Sequence, residues 1–320
     1  MLANDRRGPA YAGAVTRYSY LGPAGTFTER ALLQVPGADV AERAPVANVA
    51  EALRDVTDER SDAAMIAVEN SLEGVVTAAQ DALATTPGLR IRSEHLVPVS
   101  FSLVAARGTR LEDVEVVVAH PVAYGQCLAW LGEHLPAHQH IPAPSNVTAA
   151  MALQPGQAAL STPSITDHVD VAVLETDVID NPNAVTRFAL VGRDGALPAR
   201  TGADKTSVIA ELPSDAPGAL LEMLEQFATR GVNLSLIQSR PIGDRLGRYR
   251  FVLDLDGHVA DERVADALVG LKRFSPKVVF LGSYPRADAQ STDVHARYGD
   301  ASFVEARDWL RGLLAGEPEA

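Results

Sequence analysis

Short apolar runs alternate with amphipathic stretches over the first two thirds of the chain, which is the pattern of βα units. The runs that predict strands cover residues 17–21, 63–68, 97–105, 114–119, 157–160 and 187–192. Thr26 with Glu29, and Asn48 with Glu51, have the capping-box spacing and predict two helix starts. Alternating strands and helices favour an α/β fold with a mainly parallel sheet.

The composition changes at residues 193–204, a stretch of glycine, alanine and proline without an apolar period that is typical of a linker. Beyond it the order βαββαβ predicts a second domain. Its elements are a strand at 206–212, a helix at 219–229, a hairpin of 234–240 and 248–255, a helix at 261–274 and a strand at 277–284. After Pro285, apolar residues recur at helical spacing at Phe303, Ala306, Trp309, Leu310, Leu313 and Leu314. We expect a last amphipathic helix there, packed on the body of the protein.

Composition and charge narrow the classes of protein that fit. With 320 residues, 47% of them hydrophobic, the chain can form two or three domains with their own cores. A net charge of -13 would repel nucleic acid and anionic lipid, so neither is an expected partner. No apolar run approaches the ~20 residues of a membrane helix. Segment 1–17 lacks the apolar core of a signal peptide, so we expect a frayed N-terminus and a cytoplasmic protein.

Cysteine and histidine residues indicate neither a metal site nor a nucleophile. Cys127 is the only cysteine, which excludes an internal disulfide and a thiolate metal site, and we expect it to be a small core residue. A solvated loop is the expectation for the three histidines that lie among prolines, His134, His138 and His140. His120 stands beside a proline and is expected to be a packed turn residue.

Ligands of open parallel sheets bind beyond the carboxyl ends of the strands, so polar residues there are the candidates for a site. The glycine-rich loop 22–28 leads into the helix capped by Thr26, where free amides favour an anion. The next such loop carries Glu69, Asn70 and Ser71, whose carboxylate, amide and hydroxyl could orient a small polar ligand. Solvated capping residues are the alternative interpretation of the same segment.

A hydroxyl and a guanidinium are adjacent at Thr186 and Arg187, before the last apolar run of the first domain. Arg187 could bind a ligand carboxylate as a fork or could pair with a surface acid. The residues alone leave both interpretations open.

Several separated motifs resemble, in order and spacing, the prephenate dehydratases of phenylalanine biosynthesis. They are residues 20–27 (YLGPAGTF), 69–71 (ENS) with Gly74, and 186–188 (TRF). Past the linker, residues 217–220 (PGAL) and 239–241 (SRP) resemble the two phenylalanine-binding motifs of the family's ACT domain. No chorismate mutase domain precedes the motifs, so we expect the monofunctional form.

The resemblance implies a dehydratase region of two α/β lobes, similar to type II periplasmic binding proteins, with prephenate held between them. A ferredoxin-like βαββαβ ACT domain follows. The expected limits are 17–193 for the dehydratase domain, 194–204 for the linker, 205–285 for the ACT domain and 286–320 for a polar loop and terminal helix. Lobe one would hold 17–93 and 177–193, and lobe two 94–176.

The resemblance also implies roles for individual residues. The family's catalytic threonine corresponds to Thr186, with Glu69 as a second catalytic candidate. The implied substrate-binding residues are Asn70, Ser71, Gln126, Arg187 and Thr26. The reaction expels the ring hydroxyl and carbon dioxide, and aromatisation drives it, so no metal or other cofactor is expected. Thr186 would donate a hydrogen bond to the leaving hydroxyl. Glu69 would repel a dianionic substrate if ionised and could donate a proton if neutral.

The implied effector is L-phenylalanine, bound at an ACT interface of a homo-dimer or homo-tetramer. The implied contacts are Gly218, Ala219, Leu220, Leu221, Gln238, Ser239, Arg240 and Pro241. Leu221 is a mild change from the family's valine. Gln238 replaces a glutamate and removes a negative charge, which leaves the affinity and identity of the effector open.

Three alternatives remain at this point. A small-anion binding protein or an amino-acid sensor could use the same lobed architecture, although Thr186 and Glu69 are both retained. Arogenate could replace prephenate as substrate. The direction in which phenylalanine acts is also open.

Overall fold

The protein is described from a computed structural model, which covers residues 17–243 and 247–316. The expectation of a frayed N-terminus falls on residues outside this description. The described residues of Tyr11–Ala82 and His95–Leu190 form a first compact unit, and those of Leu83–Glu94 and Val191–Ala320 form a second.

Strands and helices alternate over most of the described chain. The strands are β1 (Arg17–Leu21), β2 (Glu42–Val46), β3 (Ala63–Asn70), β4 (Gly74–Val75), β5 (Leu89–Pro98), β6 (Ser102–Ala105), β7 (Val116–Ala119), β8 (Gln139–Pro142), β9 (Gln157–Ser161), β10 (Ala172–Glu175), β11 (Val185–Arg193), β12 (Asp204–Glu211), β13 (Leu234–Pro241), β14 (Tyr249–Asp256) and β15 (Val278–Pro285). The helices are α1 (Phe27–Leu32), α2 (Val49–Thr57), α3 (Thr77–Thr85), α4 (Pro121–Gly125), α5 (Leu128–His134), α6 (Asn146–Met151), α7 (Ala219–Ala228), α8 (Glu262–Phe274) and α9 (Asp300–Ala315).

These strands form three sheets. The first has the order β2-β1-β3-β11-β5, with β4 paired to β3, and the second has the order β10-β6-β9-β7-β8. The chain leaves the first sheet after β5 and returns to it at β11, so it crosses between the sheets twice. This topology agrees with the predicted α/β class and its two open sheets.

Two details of the strand prediction were wrong. Residues 97–105 form two strands, because Pro98 lacks an amide donor and ends β5, after which β6 joins the second sheet. The sheets are also less parallel than expected. The pairs β1/β2, β1/β3, β7/β8 and β7/β9 are parallel, whereas β6 pairs antiparallel with both β9 and β10.

Both predicted helix starts are confirmed, with one difference in their caps. Glu29 N donates to Thr26 Oγ1 at 3.3 Å, and Glu51 N donates to Asn48 Oδ1 at 2.9 Å. The carboxylates do not reach the cap residue's own amide. Each accepts the amide one residue earlier, from Gly25 at 2.6 Å in α1 and from Ala47 at 3.0 Å in α2. The glutamates therefore fix the loops that enter the helices.

The third sheet confirms the predicted βαββαβ order, with strands arranged β13-β14-β12-β15 and all pairs antiparallel. Helices α7 and α8 bury Met223, Phe227 and Leu271 in its core. The terminal helix α9 is present, but the expected apolar docking is not. Trp309 and Leu314 are 60% and 81% exposed, and no residue of α9 is buried.

Polar contacts hold α9 instead. Asp300 accepts the amide of Glu262 at the start of α8, and Arg307 pairs with the Glu262 carboxylate. No helix among the described residues is both long and apolar enough to cross a bilayer.

Within the second unit, a buried ion pair joins the middle of β5 to β12 of the third sheet. Lys205 Nζ lies 2.9 Å from Glu94 Oε2, and the two side chains are only 10% and 4% exposed. The other carboxylate oxygen of Glu94 accepts the amide of Ala287 at 3.0 Å. One carboxylate therefore links three segments of the second unit.

We expect Lys205→Met to lower the free energy of unfolding by about 3 to 5 kcal/mol, because it leaves the Glu94 carboxylate buried without its cation. The double change Glu94→Leu with Lys205→Met should recover part of the loss. Urea unfolding measures both. The control is Arg107→Gln, which breaks an exposed pair with Asp170 and should cost at most about 1 kcal/mol. A double variant no more stable than the single one would contradict this account.

Candidate active site

The predicted site begins where the end of β3 meets the start of β11. Asn70 Nδ2 donates to Thr186 Oγ1 at 2.9 Å, and Thr186 is only 9% exposed. Asn70 Oδ1 accepts the amides of Leu72 at 2.8 Å and Glu73 at 3.1 Å, which fixes the orientation of the Asn70 amide. Because Thr186 Oγ1 accepts from an amide that can only donate there, the hydroxyl proton of Thr186 is left to donate elsewhere.

The neighbouring residues form a second pair. Arg187 Nε donates to Glu69 Oε2 at 2.9 Å, with the side chains 11% and 35% exposed. Arg187 therefore pairs with an acid, which is one of the two roles left open for it. The guanidinium of Arg187 lies directly against the Glu69 carboxylate.

A third contact completes the series. Ser71 N donates to Val185 O at 2.9 Å, and Val185 N donates to Ser71 Oγ at 3.0 Å. The two segments therefore run in opposite directions here, because residues 69, 70 and 71 contact residues 187, 186 and 185 in that order. Successive strand residues project to opposite faces of a sheet, so the Asn70–Thr186 and Glu69–Arg187 pairs lie on opposite faces.

The other candidate from the sequence, the glycine-rich loop 22–28, lines a cavity of about 420 Å³ in the first unit. Its polar lining residues are Thr26, Thr28, His120, Ser145, Asn146, Thr148 and Thr162. The hydroxyl of Thr26 accepts the amide of Glu29 and donates to Leu21 O, so its side chain serves as a helix cap. Neither Thr186 nor Glu69 lines this cavity.

His120 was expected to be a packed turn residue, but it also lines the 420 Å³ cavity. It caps α4, and its Nδ1 accepts the amide of Val122 at 3.3 Å, so in the neutral ring the proton is on Nε2. Its own amide donates to Asn146 Oδ1 at 2.9 Å. His120 is therefore both a turn residue and a cavity residue. Asn146 and Ser145 were missed because they follow β8, a strand that the apolar pattern did not predict.

Gln126 differs from the other predicted residues. Its side chain is 5% exposed, and neither its Oε1 nor its Nε2 has a hydrogen-bond partner. A buried amide without partners has its full capacity to bind a polar group. Cys127 beside it is fully buried, and this burial, reinforced by the charge of Asp180, raises the pKa of its thiol to about 12. Cys127 thus remains protonated and is no nucleophile, in agreement with its expected core role.

The three histidines that lie among prolines have local partners. His138 Nε2 lies 2.9 Å from the Tyr124 hydroxyl, and the ring of His140 stacks on Tyr124 at 3.7 Å. His134 stacks on Trp130 at 4.3 Å. In residues 17–243 and 247–316 no group of three or more potential metal ligands comes together.

Of the predicted effector residues, all in the second unit, Ala219 is buried and the other seven are partly or fully exposed. Gly218 caps α7 with φ +91°, a left-handed conformation that favours glycine. Leu220 and Leu221, in the first turn of α7, are 39% and 60% exposed. Residues 238–241 end β13, an edge strand, and Gln238 Nε2 donates to Ser239 O at 3.0 Å.

Comparison with known proteins agrees with these observations. Residues 18–196 match the family model for prephenate dehydratase, and residues 206–273 match that for the ACT domain. A prephenate dehydratase of Mycobacterium tuberculosis is 41% identical over 315 residues, which are 95% of this chain and 96% of the relative.

Two solved structures are similar over most of their length. The prephenate dehydratase of Arthrobacter aurescens, solved in complex with L-Phe, superposes with a TM-score of 0.89 at 52% identity, covering 93% of this chain and 99% of that one. GqqA, described as a novel type of quorum quenching acylase, gives 0.75 at 28% identity, with 84% and 98% covered. With both domain models matched in order and the site motifs in place, this chain belongs to the prephenate dehydratase family.

Proposed function

We propose that the protein converts prephenate to phenylpyruvate, carbon dioxide and water, and that L-phenylalanine regulates it through the ACT domain. The main observation behind the proposal is the fixed orientation of the Asn70 amide, which leaves Thr186, the first residue of the TRF motif, as a hydrogen-bond donor. The names of the relatives and the L-Phe complex of the Arthrobacter protein support the same substrate and effector.

Loss of the ring hydroxyl places negative charge on a departing oxygen, and a positioned donor stabilises that charge in the transition state. We propose that Thr186 is this donor. A threonine hydroxyl is a very weak acid, so it supplies a hydrogen bond rather than full proton transfer. Asn70 acts through Thr186. The Asn70 side-chain amide donates a hydrogen bond to the threonine oxygen, so the hydroxyl proton points away from Asn70.

We propose that Glu69 acts through charge and not as an acid. Its ion pair with Arg187 offsets the charge of the carboxylate and lowers its repulsion of an anionic substrate. Ser71 holds the start of β11 in register through Val185, and Gln126 contributes its unpartnered amide to the substrate. Thr26 contributes the loop that borders the 420 Å³ cavity.

For the chain as a whole we propose the domain limits 17–193, 194–204, 205–285 and 286–320, which the matched segments 18–196 and 206–273 support. We also propose a homo-dimer or homo-tetramer with the effector at an ACT interface. The exposed Leu221 and the open edge of β13 support this arrangement. A cytoplasmic location is proposed because a single buried cysteine suits a reducing compartment.

We expect Thr186→Ala to lower kcat for phenylpyruvate formation about 10² to 10³ times with KM nearly unchanged, because only the developing charge loses its donor. Thr186→Ser keeps the hydroxyl and should retain most of the activity. Absorbance of phenylpyruvate in steady-state assays measures both, with arogenate tested in parallel. A Thr186→Ala variant with wild-type kcat would contradict the role of Thr186 as donor. Turnover of arogenate but not of prephenate would show that arogenate is the substrate.

We expect Glu69→Gln to lower kcat/KM by about tenfold, which is less than the loss in Thr186→Ala, because the amide still accepts from Arg187 but no longer balances its charge. The control is Glu73→Gln, in the same turn and exposed. It should leave kcat/KM within about twofold. A loss in Glu69→Gln as large as that in Thr186→Ala would instead make Glu69 a direct participant in proton transfer.

We expect Gln238→Glu to tighten L-phenylalanine binding about fivefold, because a carboxylate accepts a stronger hydrogen bond from an ammonium than an amide does. Isothermal titration of the full-length protein measures the affinity. Gln290→Glu adds the same charge at another exposed position of the second unit and serves as control. Unchanged or weaker binding in Gln238→Glu would place Gln238 outside the effector site.

A further inference from the structure

A buried hydrogen bond joins the two sheet regions of the first unit at the wall of the 420 Å³ cavity. Thr162, which follows β9 in the second sheet, donates from Oγ1 to the carbonyl of Gly25 at 2.8 Å. Gly25 lies in the loop after β1 of the first sheet. Thr162 is only 2% exposed and also lines the cavity. The bond therefore fixes the distance between the two sides of the cavity at this point.

Both backbone polar groups of Gly25, its amide and its carbonyl, have hydrogen-bond partners. Its amide donates to Glu29 Oε2 at 2.6 Å, so the loop is tied to α1 while its carbonyl is tied to Thr162. Its φ of +86° is left-handed, and a Cβ there would lie 2.8 Å from the His168 ring. Only glycine fits between these partners. The position of the loop is thus defined by contacts from both sheet regions.

The same loop separates two cavities. Thr26 borders both the 420 Å³ cavity and a second one of about 650 Å³, which is also lined by Arg30, Asp167 and His168. A displacement of Gly25 and Thr26 towards one cavity widens the other. The hydrogen bond from Thr162 opposes this displacement.

We propose that Thr162 is a positioning residue for substrate binding, whose hydrogen bond to Gly25 holds the loop closed against the 420 Å³ cavity. The inference rests on the prephenate dehydratase activity proposed above. When a ligand binds only the closed arrangement, the apparent Kd is the intrinsic Kd divided by the closed fraction, so it rises with the open fraction. Loss of the bond leaves the Gly25 carbonyl without its partner and raises that fraction. Thr162 acts through the loop and not on the reacting atoms.

The test compares Thr162→Val, which keeps the shape and removes the hydroxyl, with Thr162→Ser, which keeps the hydroxyl. Ser161→Ala is the matched control, because Ser161 is the adjacent residue, is fully buried and has a hydroxyl without a partner. Steady-state kinetics give KM and kcat, isothermal titration gives the Kd of prephenate, and urea unfolding reports whether each variant folds.

We expect Thr162→Val to raise KM and Kd for prephenate at least about fivefold and to change kcat less than about twofold. Thr162→Ser and Ser161→Ala should match the wild type. The proposal would be overturned if Thr162→Val had the KM and Kd of the wild type, or if its kcat fell by as much as its KM rose. A Thr162→Val protein that does not fold would also overturn it, because Thr162 would then have a structural role.

Two outcomes separate this inference from the function on which it rests. A wild-type protein that binds prephenate without turnover contradicts the proposed reaction, while the Kd ratio of Thr162→Val to wild type still decides the role of Thr162. A wild-type protein that neither binds nor converts prephenate contradicts both.

Discussion

The pairing of the end of β3 with the start of β11 is the constraint on which the site depends. Contacts between residues 71 and 185, 70 and 186, and 69 and 187 follow one another in register. A slip of one residue would exchange the faces of every side chain in the series. The register therefore decides that Thr186 meets an amide donor and that Glu69 meets a guanidinium. The chemistry proposed for this protein follows from those two partners.

This pairing needs the long path of the chain through the second sheet. β3 and β11 are neighbours in space although the five strands of the second sheet, together with α4, α5 and α6, separate them in sequence. The loop 22–28 borders the 420 Å³ cavity from the first sheet, and Thr162 contacts the loop from the second. Residues that the sequence scatters over more than half of the chain are thus assembled by two crossings. The glycine at position 25 is the point at which both sheet regions contact one backbone unit.

Much of the fold was predictable, because central strands are apolar and capped helices have a spacing that the sequence displays. The strands that were missed include β2, β8 and β10, all edge strands of their sheets. Each has only four or five residues and no buried side chain, so it shows no apolar period. The register of β3 against β11 was not predictable, since local patterns hold no information on long-range pairing. Ser145 and Asn146 were missed together with β8, the strand that they follow. The exposed apolar face of α9 was unexpected. An apolar period shows which face of a helix could be buried, but it does not show which part of the protein covers that face.

In the proposed mechanism, Asn70 directs the Thr186 hydroxyl towards the substrate by donating to its oxygen. Asn70→Asp tests this most directly, because a carboxylate can still accept the amides of Leu72 and Glu73 but can no longer donate to Thr186. The threonine would then donate to the new carboxylate. We predict that the single-turnover rate of phenylpyruvate formation falls at least about a hundredfold while prephenate still binds. A rate within about twofold of the wild type would contradict the account.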